Sequence, residues 1–321
     1  MNNPTSPFPN IFLNFRLFFI VCIGFILTSC AEDSSPIKEE VPTIRTGVIE
    51  ATITVNNTIR SYILYVPTNY TSEASVPLVF NFHGLGSNAF EQMVYGDFRN
   101  LADQEGFIVV QPNGTTFFGL THWNVGGFTA GSPADDVGFT EALLTEISTT
   151  YNIDSQRVYA TGMSNGGYMS FLLACQMNHK FAAIASVTGT MTIDTFDQCI
   201  PAATMPVLQI HGTADATVTY EGTETWNKSI PDVLNYWVGV NNCNPTPTIT
   251  RVLDLNPNDD DFVDHYIYSG GTNGAVVEHY KINNGTHSWP GTTVGVANRT
   301  INATQLTWDF FKKYNKAGLI Q

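Results

Sequence analysis

Five short apolar runs recur along this chain, at residues 77–82, 107–110, 157–160, 182–187 and 207–210, each closing on a glycine or proline. A continuous apolar run of that length reads as a strand buried on both faces, as in a parallel sheet. Helix-like stretches lie between them near 89–104, 136–151, 165–177 and 231–240, and an amphipathic segment at 303–314 ends the pattern. Residues 47–55 and 60–66 alternate about Asn56-Asn57 and read as a strand pair. Strand–helix alternation of this kind requires a mostly parallel sheet with helices on both faces, an α/β fold. No linker interrupts the pattern after residue 45, so residues 46–321 read as one domain.

Composition agrees. Hydrophobic residues make up 43% of 321 and charged residues 13%, enough apolar material for a large core. The formal charge of −14 repels phosphate backbones and argues against nucleic-acid binding. The acidity itself reads as surface hydration.

The first thirty residues stand apart. Residues 17–27 form an apolar run behind Arg16, of signal-peptide length and short of a membrane span of ~20 residues. The run ends Leu27-Thr28-Ser29-Cys30, which resembles the bacterial lipobox, where cleavage precedes a cysteine that then carries lipid. Residues 1–29 are therefore expected to be a lipoprotein signal peptide, Cys30 the lipidation site and membrane anchor, and 30–45 a flexible tether. The expected location is the outer membrane, the cell surface or outside the cell. An ordinary cleaved signal with a chance cysteine is the alternative. Cys175, Cys199 and Cys243 remain. Export permits a disulfide, and an odd count leaves one thiol over.

Chemistry concentrates at strand ends. Gly162-Met163-Ser164-Asn165-Gly166 follows one apolar run and opens a helical stretch. That context makes the pentapeptide a nucleophile elbow, whose tight turn excludes side chains at both glycines and lifts the serine hydroxyl above the sheet. The competing role for Ser164 is a helix N-cap. A serine hydroxyl needs a base. Asp215 lies just past the 207–210 run, and His287 lies in a loop before the last helix, so nucleophile, acid and base come in the order Ser164, Asp215, His287. Two backbone donors should hold the oxyanion: the Asn165 amide, and the Leu85 amide in the loop His83-Gly84-Leu85-Gly86.

Other residues read more plainly. His211 is expected to pack beneath the acid loop, and His122, His179, His265 and His279 to be surface or loop residues. Asp135 and Asp136 read as helix caps. Asn258-Asp259-Asp260-Asp261 with Asp264 lacks the glycine and glutamate of a calcium loop, so it reads as a solvated turn and no metal site is expected. Phe117, Phe118, Trp123 and Phe128 sit in a Gly-rich stretch, and Trp289 follows the candidate base. Flat aromatics there suit an aryl or sugar ring, so Trp123 and Trp289 are the candidate substrate-binding residues, with ordinary packing as the alternative.

Taken together, these segments resemble a family. His83-Gly84, residues 106–112 and 135–139, Arg157 to Gly167, His211 to Asp215 and His287 to Gly291 are similar to the secreted polyhydroxybutyrate-depolymerase-like and feruloyl-esterase-like hydrolases near carbohydrate esterase family 1. The resemblance implies an α/β-hydrolase fold, a Ser-Asp-His triad, no cofactor, and action on feruloyl or acetyl esters of polysaccharides or on hydroxyalkanoate polyesters. It also implies a Cys175–Cys199 disulfide. Cys243 resembles half of a second one whose partner, near Ser269, is missing. Relatives often carry a Gly-rich run before the histidine where this chain has Asn283-Asn284-Gly285-Thr286. The expected function is a serine carboxylic-ester hydrolase. A serine peptidase of prolyl-oligopeptidase type and a non-catalytic glycan-binding lipoprotein are the rivals: the first lacks room for its usual propeller, and the second has no need of three catalytic residues.

Overall fold

The computed structural model describes residues 44–253, 262–295 and 297–320. The expected signal peptide, Cys30, nearly all of the tether and the Asn258–Asp261 turn lie outside the described residues. In chain order the elements are β1 (Gly47–Val55), β2 (Thr58–Val66), β3 (Val76–Phe82), α1 (Ala89–Tyr95), α2 (Arg99–Glu105) and β4 (Ile108–Pro112). A small hairpin, β5 (Thr115–Phe117) and β6 (Leu120–His122), precedes α3 (Asp136–Thr150), β7 (Ile153–Met163), α4 (Asn165–Gln176) and β8 (Ala183–Val187). Then come α5 (Ile193–Gln198), β9 (Val207–Gly212), α6 (Ile230–Val240), β10 (Thr248–Arg251), β11 (Phe262–Tyr268), β12 (Val277–Asn283) and α7 (Ala303–Phe311). Two-residue strands β13 (Tyr314–Asn315) and β14 (Gly318–Leu319) close the chain.

Among the described residues ten strands form one sheet, in the order β1-β2-β4-β3-β7-β8-β9-β12-β11-β10. The six central strands, β4 to β12, run parallel. The two at each edge pair antiparallel. Every residue of β3 after Val76 is buried, and its side chains alternate between the two faces. Leu78, Phe80 and Phe82 join a cluster with residues of α3, α4 and α6, while Val79 joins one with residues of α2 and α7. Helices thus cover both faces, as the alternation of the sequence requires. Asn56 and Asn57 take φ 49° and 61°, a left-handed pair that suits the right-handed twist of the β1–β2 hairpin.

The structure departs from the sequence pattern in places with local causes. The single helix expected over 89–104 is two, broken at Gly96. There Asn81 donates from Nδ2 to the Gly96 carbonyl at 3.1 Å, and a Cβ on Gly96 would stand 2.9 Å from the Trp289 ring. β10 has no apolar run because all four of its residues are exposed at the sheet edge. His122 and His279 are buried inside β6 and β12 rather than on the surface. His265 lies in β11, stacked on Tyr280 at 4.0 Å; His179 is an exposed turn residue as expected.

Asp135 caps α3 by accepting from the Gly138 amide, but Asp136 has another task. Its buried carboxylate takes Arg60 Nη2 at 2.7 Å on one oxygen and the Asn124 amide at 2.7 Å on the other. The pair ties β2 to the loop that follows β6.

Cys175, near the end of α4, is disulfide-bonded to Cys199, which closes α5. Cys243 is a buried free thiol whose S–H donates to the Ala275 carbonyl at 3.4 Å. Replacing both Cys175 and Cys199 with serine should lower unfolding free energy by roughly 2–4 kcal/mol. Urea denaturation read by tryptophan fluorescence checks this; an unchanged midpoint would contradict it.

Candidate active site

β7 passes into α4 through Ser164 alone. That residue takes φ 53° and ψ −120°, a conformation costly to any residue with a Cβ. Its surroundings hold it there. The Ser164 amide donates to the Val187 carbonyl at 2.9 Å, and its carbonyl accepts from the Tyr168 amide at 3.0 Å. The flanking glycines are obligatory: a Cβ on Gly162 would stand 2.6 Å from the Phe82 carbonyl oxygen, and one on Gly166 would strike the same atom. Ser164 sits at the N-cap position of α4 yet makes no side-chain cap bond. By contrast Asn88, Asp135, Thr192, Ser229 and Asn302 all cap their helices through their side chains. The hydroxyl is not occupied in capping.

Asp215 follows β9, and His287 lies in the loop after β12. Those strands are sheet neighbours, so both residues rise from the edge where β7 delivers Ser164. His287 donates from Nδ1 to Asp215 Oδ2 at 2.7 Å, which leaves the Nε2 lone pair free to accept a proton. The other oxygen, Oδ1, accepts the Thr217 and Val218 amides at 2.9 and 2.8 Å. Burial pushes the carboxyl up, but the hydrogen bond and charge of His287, with the Val218 amide, outweigh it and hold Asp215 below the usual carboxylate range.

Buried neutral histidines support this acid. Gln209 is oriented by the Gly189 carbonyl at 2.9 Å, so its Nε2 donates to His211 Nδ1 at 3.2 Å. His211 therefore carries its proton on Nε2, which donates to the Val218 carbonyl at 2.7 Å and lies 3.4 Å from Asp215 Oδ2. Beneath it, His279 donates from Nδ1 to the Gln209 carbonyl and accepts from the Tyr220 hydroxyl, both at 3.0 Å. Burial pushes His211 down, and His279 down to about 3.

Next to Ser164 lies the loop after β3, where a Cβ on Gly84 would stand 3.5 Å from the Ser164 Cβ. The Gly86 and Ser87 amides donate to the Thr121 and Gly84 carbonyls at 2.7 and 3.1 Å. The Leu85 and Asn165 amides have no partner among the described residues. The β5–β6 hairpin is tied to this loop by the Gly86–Thr121 bond and by the Thr121 hydroxyl on the Ser87 carbonyl. Its tip carries Phe118, 91% exposed.

Both tryptophans proposed from sequence to touch substrate are buried, and this corrects that expectation. Trp123 is wholly enclosed, and Trp289 is 1% exposed with its indole donating to the Thr304 hydroxyl at 3.0 Å. Packing, the alternative role, is what they do. Sequence reasoning missed the Arg60–Asp136 pair and the bonds of Trp123, because neither follows from spacing along the chain. Among the described residues no group of three or more His, Cys, Asp or Glu side chains is disposed to hold a metal.

A mostly parallel sheet bearing a strained serine elbow, then an acid and a histidine at successive strand ends, defines the α/β-hydrolase class. The chain belongs to the esterase PHB depolymerase family, whose model matches residues 60–220. It is 30% identical to a probable feruloyl esterase C of Aspergillus terreus, over 64% of this chain and 71% of that one. It is also 30% identical to a bifunctional acetylxylan esterase/xylanase of Neocallimastix patriciarum, over 53% of this chain but only 23% of that protein. The fold resembles that of an acetyl xylan esterase from Aspergillus awamori with a TM-score of 0.60 at 16% identity, covering 82% of this chain and 99% of that one.

With Asp215 held ionised, Asp215→Asn should leave the imidazole in the wrong tautomer and lower kcat on the order of 10⁴-fold. The stability that the carboxylate contributes is present above its unfolded pKa of about 3.9 and lost as pH falls through the lower folded value. The difference in unfolding free energy between wild type and variant should therefore narrow toward low pH. Esterase assays and urea titrations across pH test both outcomes.

Proposed function

We propose that this protein is a serine carboxylic-ester hydrolase that works through an acyl-enzyme. The observation that carries the reading is the Asp215–His287 hydrogen bond of 2.7 Å on the sheet edge that presents Ser164 in a strained, uncapped turn. His287 Nε2 takes the proton of the Ser164 hydroxyl as Oγ attacks the ester carbonyl carbon. The carbonyl π electrons move onto oxygen, and the Leu85 and Asn165 amides hold that oxyanion. As the intermediate collapses, the alcohol leaves with the proton from His287. Water, deprotonated by the same imidazole, then attacks the acyl carbon; the bond from that carbon to Ser164 Oγ breaks, Oγ takes the proton back from His287, and the acid leaves.

The substrate class follows from kinship and from the rim. The relatives are described as feruloyl and acetylxylan esterases, and the family takes its name from PHB depolymerase. Exposed Leu85, Phe118 and Leu120 offer an apolar rim beside the oxyanion loop. Esters of feruloyl or acetyl type on polysaccharides, or hydroxyalkanoate esters, fit these features. Residues 1–29 and Cys30 make the protein an exported lipoprotein, tethered through residues 30–45 at the membrane surface.

Ser164→Ala should reduce hydrolysis of p-nitrophenyl acetate by at least ~10⁴-fold. Retained turnover would refute the nucleophile. Methyl ferulate, acetylated xylan and hydroxybutyrate oligomers assayed side by side would rank the acyl groups. Cys30→Ala should move the protein from the membrane fraction to the soluble exported fraction; unchanged membrane association would sink the anchor.

A further inference from the structure

The two oxyanion donors belong to different segments, one in a loop and one at the start of α4. Leu85 follows β3 and Asn165 follows β7. Parallel pairing fixes those strands only as far as the Phe82–Gly162 register. An oxyanion donor must lie about 2.7–3.1 Å from the developing charge, so something beyond the sheet must set the separation of the two amides.

Trp123 touches both sides. Its backbone amide donates to Asn165 Oδ1 at 2.7 Å, and its carbonyl accepts from Asn165 Nδ2 at 3.0 Å. The two bonds fix the carboxamide of the residue that supplies one donor. On the other side the indole Nε1–H donates to the His83 carbonyl at 2.8 Å, and the ring packs against Phe82 and His83 at 5.1 and 4.8 Å between centroids. His83 continues the brace. It accepts the Gly114 amide on Nε2 at 2.9 Å and donates from Nδ1 to the Gly84 carbonyl at 2.7 Å. Burial pushes His83 down to about 4, so its imidazole stays neutral and can accept at one nitrogen while donating from the other.

The brace is itself anchored. Asn124, the next residue, donates its amide to Asp136, whose other oxygen holds Arg60. The Arg60 guanidinium lies 3.9 Å over the Phe139 ring and 6.0 Å from that of Trp123.

We propose that Trp123 is a positioning residue of the oxyanion hole, bracing the Asn165 amide and the His83-Gly84-Leu85 turn at one fixed separation. Trp123 contacts neither substrate nor reacting atoms and acts through the two peptides it holds. The proposal rests on the ester-hydrolase reading above.

Trp123→Phe keeps a ring and the backbone bonds but deletes the indole donor. Asn165→Ala deletes the other tie without disturbing the ring, and covers the case in which Trp123→Phe does not fold. For each folded variant we expect kcat for p-nitrophenyl acetate to fall roughly 10- to 100-fold, with KM within about threefold of wild type. Affinity for a trifluoromethyl ketone, which forms a tetrahedral adduct on the serine, should fall by the same factor as kcat. A purely structural role would lower thermal stability without that parallel loss. Folded variants that keep kcat and inhibitor affinity within about twofold of wild type would overturn the proposal while leaving the hydrolase reading intact. A wild-type protein that hydrolyses no ester would overturn both.

Discussion

The close approach of α4 to the end of β3 governs this structure. Gly166 lies so near the Phe82 carbonyl that no Cβ fits between them. That contact brings the helix onto the sheet at once after β7, leaves Ser164 no relaxed backbone conformation, and sets the loop after β3 against it. The cost is left-handed backbone at a residue with a side chain. The Ser164 amide bond to β8 and the Tyr168 amide bond to the Ser164 carbonyl over-determine the turn.

Asp215 and His287 are held by a different kind of force. Their support is a buried polar column built from Gln209, His211, Tyr220 and His279, in which each nitrogen has a defined donor or acceptor role. Such a network is costly when any partner is missing and rigid when all are present. It fixes the loop that carries Asp215 through the Val218 carbonyl and amide, so the carboxylate is held on several sides before it meets His287.

Much of this could be read from the chain. The parallel core was legible because buried strands are apolar on both faces. The candidate residues Ser164 and Asp215 stood out because each follows such a run, whereas His287, after the mixed sequence of β12, stood out only by its place in a loop before the last helix. The edge strands β10 and β11 were not, since exposed or half-exposed positions carry no apolar run. The break between α1 and α2 was hidden because Gly96 answers to Asn81 and Trp289, the latter nearly two hundred residues away in sequence. Trp123 and Trp289 looked like substrate platforms because aromatic residues near a loop look alike whether they face solvent or core. Their burial in the folded chain, with the bonds of their indole nitrogens, separates the two cases. Asp136 reads as a cap along the chain because its partner, Arg60, comes from β2. In each miss a tertiary contact decided what local pattern could not.

The elbow is built from β3, β7 and β8, whereas His287 follows β12, far later in the sequence. A chain that ended before β12 would therefore carry the elbow with Ser164 but lack His287. The two candidate groups are 123 residues apart in sequence and meet only through the neighbouring strands of one sheet.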